Sequence, residues 1–364
     1  MKLLYITNGI HGSGGLERVL AIKASYLAEN YNYEVSILTL NSEGEDLFYV
    51  FSPKITFYDI KASGNPISYF LSFWKGIKKV LKYVKPDVIS VCDDGLKGIL
   101  FPLIFGKKIP IIYERHVSKQ IENKSDNLSF KEALKSKIVF YFMSYGGKQF
   151  NNFVVLTKGN LKEWNLTNLM VISNPLPFNT DEKSTLMNKK VLAVGKHSFQ
   201  KGYDRLLESW EIVYRKHPDW KLEVYGNPKQ SLGLEKKAKE LGISKAVSFY
   251  PPVKDIQEKY KDSSIYVMSS RFEGFGMVLI EAMSFGVPCI SFDCPYGPSD
   301  IISDGEDGLL IENGAIQEFA DAIVKLIKNE HLRKIMGVKA KKNIQRFSPE
   351  TIIKQWDELF KSLI

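Results

Sequence analysis

MKLLYITNGIHGSGGLERVLAIKASYLAENYNYEVSILTL, residues 1–40, reads as strand, glycine-rich turn, helix and strand. Residues 2–7 are short and apolar, and residues 8–15 hold four glycines. Leu16, Val19, Leu20, Ala24 and Leu27 recur at helical spacing, and residues 35–40 are β-rich. Such an opening implies a parallel sheet, because consecutive parallel strands need a crossover that packs on the sheet. The alternation continues with a helix at about 67–84, strands at 87–91 and 109–113, a helix at 129–147 and a strand at 153–156. Ser173-Asn174-Pro175-Leu176-Pro177 then interrupts it, since two prolines in three residues continue neither a helix nor a central strand. Strands at 190–194, 221–225, 246–249, 265–268 and 288–292 follow, alternating with helices at 203–216, 234–241, 255–261 and 276–285. Two consecutive doubly wound α/β domains are therefore expected, residues 1–172 and 181–347, joined by a linker at 173–180. Residues 348–364 begin Ser-Pro-Glu, with Ser348 as N-cap and Pro349 at the first helical position. This last helix is expected to pack back on the first domain.

The length of 364 residues agrees with two domains, and 44% hydrophobic with 25% charged residues excludes wholesale disorder. No run of about 18 apolar residues is present, so no span of a bilayer is expected. The N-terminus is interrupted by Asn8-Gly9 too soon for a signal peptide. Cys92, Cys289 and Cys294 form no CxxC pair and read as buried small apolar residues of a reducing, cytoplasmic protein. The formal charge of +9 is uneven: residues 1–180 carry 22 Lys and Arg against 15 Asp and Glu, and residues 181–364 carry 28 against 26. A basic first half suits nucleic acid, an anionic membrane or a phosphorylated ligand.

Three stretches carry candidate chemistry. Gly12-Ser13-Gly14-Gly15 opens onto a helix, but a dinucleotide fingerprint would need a third glycine and a carboxylate ending the second strand, and both are missing. What remains is a turn at Gly14-Gly15 whose N–H groups suit a phosphate or a sugar hydroxyl. At Arg271-Phe272-Glu273-Gly274-Phe275-Gly276-Met277-Val278-Leu279-Ile280-Glu281 a strand runs through a glycine loop into a helix. That topology aims bare N–H groups and a positive dipole at a diphosphate. Glu281 sits among apolar neighbours, and a ribose diol offers the donors a buried carboxylate needs. Glu273 lies at the strand's carboxyl end, where open α/β sheets bind ligands. Lys196 and Lys201 flank a third loop, also between strand and helix, and two ammonium groups there can neutralise a diphosphate leaving group.

Together these stretches resemble family-4 retaining glycosyltransferases of the GT-B fold. The resemblance rests on Gly14-Gly15-Leu16-Glu17-Arg18, Gly195-Lys196 with Gln200-Lys201-Gly202, Glu273 and Glu281 around Gly274-Phe275-Gly276, and Gly286-Val287-Pro288. It also includes Gly297-Pro298-Ser299-Asp300 and Asp304-Gly305 with Gly308-Leu309-Leu310. It implies two Rossmann-like domains with a deep cleft between them that holds the active site. It implies that Glu281 holds the ribose hydroxyls and Glu273 the donor sugar. Lys196, Lys201 and the N–H groups around Phe275, Gly276, Met277 and Val278 would bind the diphosphate, with Gly15 approaching from the first domain. Gly226-Asn227-Pro228 matches a turn that lines the nucleotide pocket. The family often has a His or Arg after the strand read at 109–113, and Glu114-Arg115-His116 offers both, leaving Arg115 and His116 as alternatives.

The implied reaction is retaining transfer of a hexose or N-acetylhexosamine from a nucleotide-diphosphate sugar, UDP-linked by preference. The implied acceptor is a lipid-linked or oligosaccharide chain in capsule, O-antigen or exopolysaccharide assembly. No Asp-x-Asp occurs, so no metal or other cofactor is expected. The basic first half then belongs to the acceptor side, where residues 69–83 and 131–148 interleave lysines with aromatics and offer a contact for an anionic membrane. No nucleic-acid module is found. The protein is expected in the cytoplasm, with a peripheral place on the inner membrane face compatible. A non-catalytic GT-B binding module and a GT-B sugar-nucleotide epimerase are the alternatives.

Overall fold

The computed structural model describes residues 1–42, 44, 46–119, 130–178 and 180–364. Residue 129 of the expected third helix and residue 179 of the expected linker lie outside the described residues. The described chain divides into two compact units, the first of residues 1–119, 130–177 and Pro349–Ile364, the second of residues 178 and 180–348.

The first unit runs β1 (Lys2–Ile6), α1 (Gly15–Asn30), β2 (Glu34–Leu40), β3 (Thr56–Ile60), α2 (Pro66–Val84) and β4 (Val88–Val91). It continues through α3 (Leu96–Ile99), α4 (Phe101–Phe105), β5 (Ile111–Glu114), α5 (Phe130–Gly147), β6 (Asn152–Val155) and β7 (Leu169–Val171). The seven strands are parallel in the order β3-β2-β1-β4-β5-β6-β7. β4 and β5 are buried along their whole length because helices cover both faces of the sheet. One face packs Phe73 and Ile77 of α2, Ile99 of α3, Phe101 of α4 and Met143 of α5 into a single core. α2 starts where Asn65 accepts N–H bonds from Ile67 and Ser68 and Pro66 takes the first turn, a cap contributing about 1 kcal/mol.

The second unit runs β8 (Lys190–Val194), α6 (Tyr203–Lys216), β9 (Lys221–Tyr225), α7 (Leu234–Glu240), β10 (Val247–Tyr250), α8 (Ile256–Lys261) and β11 (Ile265–Met268). Then come α9 (Met277–Ser284), β12 (Cys289–Phe292), α10 (Pro298–Ile301), β13 (Gly308–Ile311), α11 (Ile316–Lys328) and α12 (Glu330–Asn343). Its six strands are again all parallel, ordered β10-β9-β8-β11-β12-β13. The order reverses beside β8 and β11, and the loops that follow those two strands carry the Lys196–Lys201 and Glu273 stretches.

The last helix, α13 (Pro349–Lys361), starts directly after Ser348 and belongs to the first unit, as expected. It packs on α1, with Ile353, Trp356 and Phe360 buried and Tyr33 donating to the Asp357 carboxylate at 2.7 Å. Several elements differ from the sequence reading. The strand read at 109–113 begins at Ile111, after Pro110, and extends to Glu114, whereas β3, β7 and β13 were not anticipated as strands. All three are sheet edges, and the half-exposed side chains of β3 and β7 leave little burial pattern to read. Among the described residues no helix is long and apolar enough to cross a membrane.

Candidate active site

In the second unit, the glycine loop after β11 leads straight into the N-terminus of α9. Gly276 caps α9 with φ +98°, a left-handed conformation that favours glycine, and Met277 and Val278 follow half-buried. Among the described residues, no group accepts a hydrogen bond from the backbone N–H groups of residues 274–278. Successive unpaired amides at a helix N-terminus present partial positive charge to whatever occupies the loop. Arg271 fixes the loop from its start: its guanidinium holds Asp204 through two bonds of 2.9 and 2.7 Å, and its N–H donates to Gln200 at 2.7 Å.

Glu273 is buried on this loop. Lys201 donates to it at 2.6 Å, Ser270 at 2.6 Å and Gln200 at 3.4 Å. The two residues that the sequence assigned separately to diphosphate and sugar are thus joined as an ion pair. Lys196 is exposed and makes no ion pair among the described residues. Glu281, 3% exposed, accepts from the Tyr260 hydroxyl at 2.8 Å. Tyr260 is itself buried and stacks on Phe285. Sequence reading missed this tyrosine, whose only signal is an aromatic residue on the inward side of short α8.

Gly226 joins the second loop to the third. A Cβ there would lie 1.9 Å from the Gly195 carbonyl oxygen, so the turn after β9 can press against the loop after β8 only as glycine. The Asn227 carbonyl accepts from the His197 N–H at 3.0 Å, and Gly226 donates to Tyr250 at 2.9 Å. His197 is buried beside Tyr203 and Phe249 with Nε2 unpartnered among the described residues, and burial pushes its pKa down despite Glu235. It therefore stays neutral at physiological pH.

In the first unit, Gly14 caps α1 and Gly15 is its first residue. The Glu17 carboxylate folds back over this turn, as its oxygens lie within 2.6 Å of where a Cβ on Gly12 or Gly14 would stand. The residues after β5 fall into two roles. Arg115 is buried and spends its guanidinium on the carbonyls of Asp94 (2.6 Å), Val117 (2.9 Å) and Ser118 (3.5 Å), with Asp94's carboxylate at 3.5 Å. His116 takes its N–H to Asp94 at 3.1 Å and turns Nε2 to Glu114 at 3.1 Å. Glu114, in turn, accepts from Ser90 at 2.5 Å and from Lys23 in a close pair, each of Lys23 and Glu114 being 1% exposed. Burial alone would push the Glu114 carboxyl up, but Lys23's charge and the bonds from His116 and Lys23 outweigh it and hold it down at about 2. Lys23 also sits 3.9 Å from the Trp356 ring centroid. This network went unpredicted, although Lys23 falls four residues after Val19 on the buried stripe of α1.

Cys92, Glu114 and His116 are close enough to share a metal ion, but the Lys23 ammonium already lies against Glu114 and repels a second cation. All three cysteines are free and buried, and burial pushes the Cys92 thiol up. An open cavity of ≈ 350 Å³, solvent mouth included, lies at the carboxyl ends of β1, β2 and β4 and is lined by Asn8, Leu40, Phe73, Asp93 and Lys97 among others.

An all-parallel unit with a glycine loop at its topological switch point is the arrangement in which open α/β proteins bind their ligands. Residues 178–343 match the family described as glycosyl transferases group 1. The chain is 31% identical over 372 aligned residues to the amylovoran biosynthesis glycosyltransferase AmsD of Erwinia amylovora, covering 98% of this chain and 99% of that one. A lipopolysaccharide 1,6-galactosyltransferase of Salmonella typhimurium is 27% identical, covering 91% of this chain and 90% of its own. In structure, a Staphylococcus aureus TarM mutant solved with UDP aligns over 99% of both chains at a TM-score of 0.80 and 18% identity. The chain belongs to the glycosyl transferases group 1 family, and its fold is GT-B.

Proposed function

We propose that this glycosyltransferase is a family-4 retaining enzyme that transfers a hexose or N-acetylhexosamine from a UDP-sugar. The single observation that carries the donor assignment is the run of unpaired N–H groups at residues 274–278 beside Lys201 and Glu273. The amides and Lys201 receive the diphosphate, with Lys196 added from the exposed end of its loop. Lys201 released from Glu273 follows the phosphate, and the freed Glu273 carboxylate accepts hydrogen bonds from the sugar hydroxyls. Glu281, oriented by Tyr260, holds the ribose diol. The bond from the anomeric carbon to the phosphate oxygen breaks, and a bond to the acceptor oxygen forms on the same face. The acceptor's proton passes to the departing phosphate oxygen, so no protein nucleophile is required. Fixed lysines and amides take the electrostatic role that a divalent ion has elsewhere, and the enzyme works without metal.

His116, fixed through Nε2 by Glu114, is the side chain that meets the reacting sugar, while Arg115 shapes the loop. The acceptor is a lipid-linked saccharide of surface-polysaccharide assembly, met at the inner membrane face by the first unit. This part is supported by the names of the relatives, which include amylovoran and lipopolysaccharide enzymes, and by the basic first half of the chain. A panel of nucleotide sugars is the test, with UDP release and the anomeric configuration of the product as readouts. Release from a UDP-hexose that persists in EDTA and vanishes in Glu281→Ala is expected. Activity abolished by EDTA would refute metal independence, and an inverted anomer would refute retention.

A further inference from the structure

The outer side of α5 is apolar where a helix covering a sheet should be polar. Met143, Gly146 and Gly147 face the core, yet Leu134, Ile138, Tyr141, Phe142 and Tyr145 are all exposed, Tyr141 by 70%. At about 100° per residue these five fall within an arc of roughly 100° on the side opposite Met143. Lys137 and Lys148 border that arc on one side, while Lys135 lies just beyond its other edge and Lys131 just inside it. α2 packs on the same face of the sheet and repeats the pattern end to end. Its first turns expose Ile67, Phe70 and Leu71, and its later turns carry Lys75, Lys78, Lys79 and Lys82, with Lys78 over the Trp74 ring. Leu103 of α4 is exposed on this face too.

We propose that this face docks on a bilayer containing anionic lipid, with α5 lying in the headgroup plane and its apolar stripe entering the acyl boundary. This names the partner surface for the membrane acceptor in the reading above and rests on it for its role in the cell. Charge selects the occupant. α2, α5 and Lys148 bring eight lysines and one carboxylate, Glu132. A second copy of the chain docked face to face would set lysine against lysine, whereas anionic headgroups neutralise them. Exposed Tyr and Phe with long lysine stems suit the interface, where apolar bodies sink and charged ends remain in water.

Flotation with vesicles of phosphatidylcholine, with and without phosphatidylglycerol, tests the proposal on the full chain. Binding to the anionic vesicles alone, weakened by high salt, is expected. Lys135→Glu with Lys137→Glu lowers the partition coefficient by about 30-fold or more, at roughly fivefold for each lysine. Ile138→Asp with Tyr141→Asp lowers it at both salt concentrations, and the milder Tyr141→Ser does so to a smaller extent. Equal binding to both vesicle types, or wild-type binding by these variants, overturns the proposal. So does a wild-type dimer in light scattering that Tyr141→Ser dissociates, which assigns the stripe to a second copy. The UDP-glucose-induced melting shift is read in parallel: retained in the variants, it shows that docking alone was altered. Vesicle binding by a wild-type protein that never responds to any UDP-sugar supports docking while overturning the donor reading.

Discussion

Each unit holds a lysine–glutamate pair near the carboxyl ends of its strands, and the two pairs differ in how completely they are enclosed. Lys23 and Glu114 are each 1% exposed, tied further by Ser90 and His116, and roofed by Trp356. Lys201 and Glu273 are 18% and 7% exposed and stand beside unpaired loop amides. Every charge in the first pair is fully engaged, so it can only hold shape. The second has a partner to exchange, which is what a site needs if a diphosphate is to enter and leave.

The largest expected effect breaks the first pair. Lys23→Met leaves Glu114 buried without its cation and should destabilise the protein by about 3–5 kcal/mol in urea unfolding, with Glu114→Gln added to the same chain recovering most of the loss. Lys201→Met should behave differently, because Glu273 keeps Ser270 and Gln200. Its unfolding free energy should fall by only about 1 kcal/mol, while kcat/KM drops about 100-fold. Equal stability losses in the two variants would erase the distinction. Gly226→Ala, which drives a methyl into the Gly195 carbonyl, should cost about 1–3 kcal/mol and raise the KM for the donor.

Acid sharpens the comparison. Glu114 is held at about 2 against an ordinary value of 4.5, so its stabilising contribution is complete above about 4.5 and is lost as the pH falls toward 2. Urea midpoints measured across that window should fall more steeply in the wild type than in the Lys23→Met, Glu114→Gln double variant. The smallest effect belongs to Lys196→Met. Its exposed side chain should change stability by less than about 0.5 kcal/mol, and a raised donor KM in steady-state kinetics is its expected signature.

Most of the fold could be read from the chain because central parallel strands are continuous apolar runs and the Pro175–Pro177 break separates two sets of them. β3 and β7 escaped because edge strands bury little. The glycine loop before α9 was visible because glycine spacing is dictated by backbone conformation, as at Gly276. The partners of its carboxylates were not, since Tyr260 and Glu281 are 21 residues apart and Lys23 and Glu114 are 91 apart. Such contacts are products of packing, and no local periodicity encodes them. Between Arg115 and His116 the sequence left two candidates, and their surroundings, three carbonyls around Arg115 and the Glu114 carboxylate at His116 Nε2, come only from packing.

The return of α13 to the first unit has a consequence in time. Tyr33 and Asp357 are 324 residues apart, so at about 5–20 residues per second the ribosome delivers the second some 15–65 s after the first. For that interval the first sheet exists without the helix that covers Lys23, and its hidden charge remains open to water. The second unit, whose described residues run without interruption by the other unit from 178 to 348, has no such wait. The first half to be synthesised is therefore the last to be finished, and a chaperone or protease meeting the nascent chain would find its opening at the seam between α1 and the missing α13.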